Sequence, residues 1–194
     1  MKIGLTGAVG AGKSAAARFF HELGARTLDA DELAHVALQD AAVKIQLRKR
    51  FGEDIFAANG TILAKELAKR AFSDAGHLRQ LTDVVYPVIT ARLAALLNAL
   101  PREQSVVVEA PTLFEAGCEG LFDAIVTVEA PEASREARCQ AQRGWQAGEA
   151  TRRESFKLAA EERRRRSAHV IENEGTLADL KARVTAIWRA LGLK

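Results

Sequence analysis

Ile3-Gly4-Leu5-Thr6-Gly7-Ala8-Val9-Gly10-Ala11-Gly12-Lys13-Ser14-Ala15 decides the fold of this chain. A short apolar run enters a glycine-rich turn, as a buried strand does, and Gly7 to Ser14 fits the pattern G-x-x-x-x-G-K-[ST]. From Lys13 the spacing turns helical. Ala16, Phe19, Phe20 and Leu23 recur at i, i+3, i+4 and i+7, and Gly24 stands where a helix ends. Between a strand and a helix, this motif cradles phosphate: the glycines let backbone N–H groups converge, and the helix N-terminus adds partial positive charge. The candidate phosphate contacts are Gly7, Gly10, Ala11, Gly12, Lys13, Ser14 and Ala15. In such loops the lysine can reach the β- and γ-phosphates and the hydroxyl can ligate Mg²⁺, so Lys13 and Ser14 are the candidates for those roles with a bound nucleotide.

Working outward, Ala25 to Leu28 reads as a second strand ending in Asp29-Ala30-Asp31. The chain therefore opens on a strand–helix–strand unit, which predicts an α/β fold with a parallel sheet. Residues 32–100 carry mainly helical spacing, broken at Phe51-Gly52 and Asn59-Gly60 and closed by Pro101. They read as a helical insertion on the ligand face of the sheet, within a core made of 1–31 and 101–194. Val106-Val107-Val108, Ala124 to Val128 and His169-Val170-Ile171 supply three further strands. Thr176 and Asp179 have the spacing of a capping box opening a last helix, which Gly192 closes.

Composition agrees with one folded core bearing an insertion: 48% of residues are hydrophobic and 27% charged, which excludes extensive disorder. No apolar stretch approaches the ~20 residues that span a bilayer, and Met1-Lys2-Ile3-Gly4-Leu5 lacks a secretory signal's apolar region, so no membrane partner is expected. Two cysteines, Cys118 and Cys139, do not make a disulfide scaffold and suit a reducing cytoplasm. Formal charge is +3, but Ser134 to Arg166 holds 10 basic and 5 acidic residues, a local +5 that leaves the remainder at −2. Such a block suits an anionic partner or a solvated ion-paired helix face. Nucleic acid is disfavoured, because aromatics are only 6% and none interleaves the arginine run as a stacking platform.

Several charged residues then acquire candidate roles. A strand–helix–strand unit delivers Asp29 and Asp31 to the rim beside the phosphate loop, where a carboxylate can take a hydroxyl proton, hold magnesium through water, or merely cap the next helix. Glu109, ending the Val106–Val108 strand, occupies the place of a magnesium-supporting acid. Phe114 and Glu115 follow, the former fitting core or substrate-pocket packing. The basic block suits an arginine-bearing lid over ATP, with Arg138 and Arg143 as candidates for stabilising transferred charge. Arg163 to Arg166 face all sides of a helix, so one or two of them are expected to reach the ligand.

With these residues in place, the sequence resembles the dephospho-CoA kinases. The likeness runs through Gly4 to Ser14, Asp29-Ala30-Asp31, Phe51-Gly52, Asn59-Gly60 to Phe72, Tyr86-Pro87, Glu109-Ala110-Pro111 to Glu115, Arg143-Gly144-Trp145, and Val170 to Gly175. The resemblance implies phosphoryl transfer from ATP to the ribose 3′-hydroxyl of dephospho-CoA. It also implies a P-loop kinase-like three-layer fold: a five-stranded parallel sheet, a CoA-binding helical insertion (32–100) and a lid at about 134–166. Carried across, Asp31 is the catalytic base, and Lys13 with Arg138 or Arg143 stabilises charge. Asn173 and Gly175 pack the adenine; Tyr86, Pro111, Phe114 and Glu115 join Asp31 on the acceptor side; Ser14 and Glu109 serve Mg²⁺. The enzyme would work as a monomer or weak homo-oligomer. The sequence departs from the family pattern at Tyr86 (usually His), Ala64 (usually Arg), Lys157 (usually Gln) and Ser167-Ala168 (usually Ala-Asp).

Two rivals stand beside this. A shikimate- or gluconate-kinase-like enzyme also pairs such a loop with Asp-x-Asp after the second strand. A nucleotide-binding protein without turnover would explain the departures at Tyr86, Ala64 and Lys157. A Ras-like GTPase is disfavoured, since N-K-x-D is absent.

Overall fold

The opening apolar run is β1 (Lys2–Gly7), the central strand of a five-stranded sheet in a computed structural model that describes residues 1–193. Helix α1 (Lys13–Glu22) follows the loop, then β2 (Arg26–Asp29). Next come α2 (Ala30–Ala37), α3 (Ala41–Phe51), α4 (Ala64–Ala71) and α5 (Ala75–Ala99). The chain returns through β3 (Val106–Glu109), β4 (Ala124–Glu129), α6 (Glu132–Arg143), α7 (Glu149–Glu154), α8 (Ala160–Arg166), β5 (His169–Glu172) and α9 (Leu177–Ala190). Two compact units result, one of Met1–Asp29 with the chain from Ala99 onward, the other of Ala30–Asn98.

In the first unit all strand pairs are parallel, in the order β2-β3-β1-β4-β5. The chain leaves β1 toward β2 and β3 on one side and reaches β4 and β5 on the other. The C-terminal end of β1 is thus the switch point of the sheet, where open α/β folds bind ligands. The β-branched run of β3 is fully buried, as a strand covered on both faces must be. Ile3, Leu5, Val107, Val126 and Ile171 pack with Phe20 of α1 and Leu180, Val184 and Trp188 of α9. Thr176 and Asp179 exchange side-chain and backbone hydrogen bonds, the capping box expected of α9.

The second unit is helical. Val43, Leu47 and Phe51 of α3, Leu67 and Ala71 of α4 and Val84, Val85 and Ile89 of α5 enclose its core with Ile55 and Ile62. Its extended pairing, among the described residues, is one isolated antiparallel bridge between Phe56 and Ile62. The expectation that no stretch approaches a membrane span needs correcting, because α5 is long and apolar enough by length and composition. It nonetheless contains His77, Arg79, Asp83 and Arg92, and Val84, Val85, Ile89, Leu93 and Leu97 are buried within the protein.

Candidate active site

The phosphate loop wraps the end of β1 with glycines that nothing larger replaces. At Gly7, φ is 139° and a Cβ would lie 2.0 Å from the Val128 carbonyl oxygen of β4. At Gly12, φ is 100° and a Cβ would lie 2.5 Å from Asn173 Nδ2. Gly12 is the N-cap of α1, and no side chain caps that helix or places an acid in its first turn. The leading N–H groups therefore stay available to an anion, at the positive end of a ten-residue helix.

Lys13 is buried and folds back on the loop, its Nζ donating to the carbonyls of Ala8 (2.9 Å) and Gly7 (3.2 Å). Burial pulls the Lys13 ammonium down to about 7. Lys157 pushes the same way, against the pull of Glu109 and Glu154. Beside it, Ser14 Oγ donates to Glu109 Oε1 at 2.9 Å. Register then places Asp29 opposite Glu109 where β2 pairs with β3. Asp31 stands two residues beyond β2, in the first turn of α2, and its carbonyl oxygen lies 2.9 Å from His35 Nδ1. A hydroxyl and a carboxylate suit a hard cation such as Mg²⁺, which takes oxygen ligands and keeps waters and phosphate oxygens. Among the described residues no cluster of three or more His, Cys, Asp or Glu forms a protein cage. Ser14 and Glu109 thus fit a cation that arrives with a nucleotide.

Asn173, just after β5, is buried and donates through Nδ2 to Ala11 O (2.7 Å), while its own N–H reaches Glu129 O (2.7 Å). Arg138 of α6 donates to the carbonyls of Ala11 and Asn173, both at 3.2 Å, and to Gly10 O at 3.4 Å. It binds the loop and the 173–175 segment together from behind. Arg143, the last residue of α6, lies over the Trp145 ring at 4.9 Å, and its positive charge also depresses Lys13.

On the acceptor side of the expectation, Pro111 O accepts from Thr6 Oγ1 (3.3 Å) and Phe114 is buried with the Arg166 guanidinium 4.5 Å above its ring. Glu115 Oε1 accepts from Leu158 N–H at 2.7 Å, and its Oε2 is buried without a hydrogen bond among the described residues. Tyr86 belongs to the second unit, packed against that unit's own core.

Sequence reasoning did not find the contacts that reach the loop from residues 154–163. Glu154 Oε2 accepts from Val9 N–H at 2.8 Å, and Lys157 Nζ donates to Gly7 O at 2.6 Å. Arg163, 1% exposed, pairs with Glu129 (2.9 Å) and Glu154 (2.6 Å). The other three arginines of the run also pair with protein carboxylates: Arg164 with Glu172, Arg165 with Glu162 and Arg166 with Glu119. The signal that could have flagged this segment was the pair of acids Glu129 and Glu154, which a buried arginine requires.

The sequence profile of the dephospho-CoA kinase family matches residues 1–179. A dephospho-CoA kinase of Deinococcus radiodurans is 36% identical, over 98% of this chain and 92% of its own. A crystal structure from Thermus thermophilus, 34% identical, superposes with a TM-score of 0.80 over 98% of this chain and 97% of that one. A dephospho-CoA kinase from Campylobacter jejuni, 19% identical over 98% and 96% of the two chains, shares the fold with a TM-score of 0.63. A P-loop at the switch point of a five-stranded parallel sheet, together with a family match over nearly the whole length, shows that the chain belongs to the dephospho-CoA kinase family.

Proposed function

We propose that the chain transfers the γ-phosphate of ATP to the ribose 3′-hydroxyl of dephospho-CoA. The observation that carries this is the Gly7–Ser14 loop with Lys13 folded into it and Ser14 joined to Glu109, in a chain of this family. A bond forms between the ribose 3′-oxygen and the γ-phosphorus, the bond from that phosphorus to the β–γ bridging oxygen breaks, and ADP leaves. The hydroxyl proton goes to the Asp31 carboxylate, two residues beyond β2. The loop N–H groups and Lys13 bind the β- and γ-phosphates, and holding the chain in line is most of what such catalysis asks. Ser14, with Glu109 behind it, would hold Mg²⁺, which neutralises charge on the phosphates. Arg138 keeps the loop and the adenine segment Asn173–Gly175 in shape, whereas Arg143 supplies charge near Lys13. The helical unit, with Tyr86, and the segment from Pro111 through Phe114 to Glu115 would receive the CoA portion. The two buried cysteines, neither in a disulfide, support a reducing cytoplasmic setting.

A coupled assay of ADP release with Mg·ATP tests this, with dephospho-CoA, shikimate and gluconate as parallel acceptors. Turnover confined to dephospho-CoA is the expected result. Turnover on shikimate or gluconate instead, or on no acceptor by protein that still binds ATP, overturns the assignment.

A further inference from the structure

Lys157 and Lys13 share one acceptor. Lys157 Nζ donates to Gly7 O at 2.6 Å and Lys13 Nζ to the same oxygen at 3.2 Å, so two ammonium groups from positions 144 residues apart converge on the first residue of the phosphate loop. The placement is built rather than incidental. Lys157 lies between α7 and α8, and the backbone there is pinned on both sides. Glu154 holds Val9 N–H and Arg163, Leu158 N–H is held by Glu115, and Leu158 O accepts from Arg163 Nη1.

Like charges this close repel, and burial penalises both. Burial drives the Lys157 ammonium down from its ordinary value, opposed chiefly by Glu154 and Glu115. The carbonyl dipoles and these carboxylates compensate the two ammonium groups only in part, since both stay depressed. A polyphosphate would compensate fully, since each phosphate offers several anionic oxygens to charge-assisted donors. An ammonium also has three donors, and Lys157 spends one on Gly7 O, the single hydrogen bond its side chain makes among the described residues. It can therefore keep that bond and still reach an oxygen that Lys13 reaches.

We propose that Lys157 is a second phosphate-contacting lysine, which clamps the polyphosphate of the nucleotide together with Lys13. This rests on the reading of the loop as an ATP site and is independent of which acceptor is used.

The test compares Lys157→Met and Lys157→Gln with Lys157→Arg, each checked by thermal melting. Lys157→Gln keeps an N–H donor on a side chain one bond shorter and removes the charge. Affinities for AMP-PNP and for AMP are measured by calorimetry. The proposal expects AMP-PNP to bind about ten- to a hundredfold more weakly to the Met and Gln variants. AMP binding should stay unchanged, and arginine should restore AMP-PNP. In the Lys157→Gln enzyme kcat should fall about a hundredfold, with KM for dephospho-CoA unmoved. AMP-PNP affinity within twofold of wild type overturns it. So does an equal loss for AMP-PNP and AMP, which would mean that Lys157 only shapes the loop. A wild-type enzyme inactive on dephospho-CoA, yet showing this loss of AMP-PNP binding in its variants, would sink the acceptor assignment and leave the clamp standing.

Discussion

Ser14 Oγ donates to Glu109 Oε1 across 2.9 Å, joining the first turn of α1 to the last residue of β3. The bond orients the hydroxyl lone pairs, because its proton is committed to the carboxylate. Supporting carboxylates of this kind typically alter metal affinity or activity about ten- to a hundredfold when removed. Glu109→Gln should therefore raise the Mg²⁺ concentration for half-maximal turnover by about that factor, and Ser14→Ala by at least as much. Magnesium titrations of ADP release at saturating ATP decide it. Unchanged magnesium dependence in Glu109→Gln would leave Glu109 as a purely structural acid.

Lys13 should separate stability from activity. Its burial depresses the ammonium to about 7, so the folded state disfavours the charged form. A lysine whose folded pKa lies below its unfolded value lends its full stability only above the unfolded value, and that stability is lost as pH falls toward about 7. Lys13→Met should thus melt no lower than wild type at pH 7 while turnover falls about a thousandfold or more. A lower melting temperature with retained turnover would contradict both halves.

The phosphate loop was legible because everything it needs is local: a strand, five glycines and a helix within residues 3–24. The β-branched run of β3 was legible for the same reason. β2 was found one residue late, at Arg26–Asp29 rather than Ala25–Leu28, since it is an edge strand with mostly exposed side chains and little apolar pattern to mark its ends. Lys157, Glu154 and Arg163 were opaque. Their partners lie across the fold, from Gly7 and Val9 to Glu129, and a buried arginine in Arg163–Arg166 is spelled like its solvent-facing neighbours. Periodicity detects apolar faces, whereas a buried ion pair is defined only by contact.

Arg163 anchors that hidden network. It is 1% exposed between Glu129 and Glu154, and Glu129 is itself buried, so deleting the guanidinium leaves a carboxylate without its counter-charge. Losing one partner of such a pair costs about 3–5 kcal/mol. For a chain of this size that is a fall of roughly 6–20 °C in melting temperature for Arg163→Met. Adding Glu129→Gln should recover part of the loss, because it removes the stranded charge. Calorimetric melting of the single and double variants checks both statements. A double variant less stable than Arg163→Met would contradict the second.

Acid should expose the ion pairs of α7. Glu149 accepts from Arg152 (2.8 Å) and Arg153 (2.7 Å), and the Arg152 hydrogen bond in particular holds its carboxyl down at about 2, against the opposing desolvation. A carboxylate with a lowered folded pKa contributes stability that is present above its unfolded value near 4.5 and lost as pH falls toward about 2. Glu149→Gln should therefore melt below wild type at pH 7, with the gap closing between about pH 4.5 and pH 2. A gap that persisted unchanged at pH 2 would assign the effect to something other than ionisation.

Asp29 and Asp31 can be told apart by chemistry. Asp29 ends β2 opposite Glu109 in the sheet, which sets two acidic residues side by side at the ends of neighbouring strands. Asp31 lies in the first turn of α2, where the chain has left the sheet. If Asp31 takes the hydroxyl proton, Asp31→Asn should lower kcat about a hundredfold or more while ATP binding stays intact, because general-base catalysis contributes about 10²–10⁴-fold. Asp29→Asn should instead act through magnesium dependence and leave most of kcat at saturating Mg²⁺. Near-wild-type turnover in Asp31→Asn, together with a collapse in Asp29→Asn, would move the proton to Asp29. Measuring kcat at several magnesium concentrations for both variants separates the two roles, since an excess of cation can repair a weakened metal site but cannot replace a missing base.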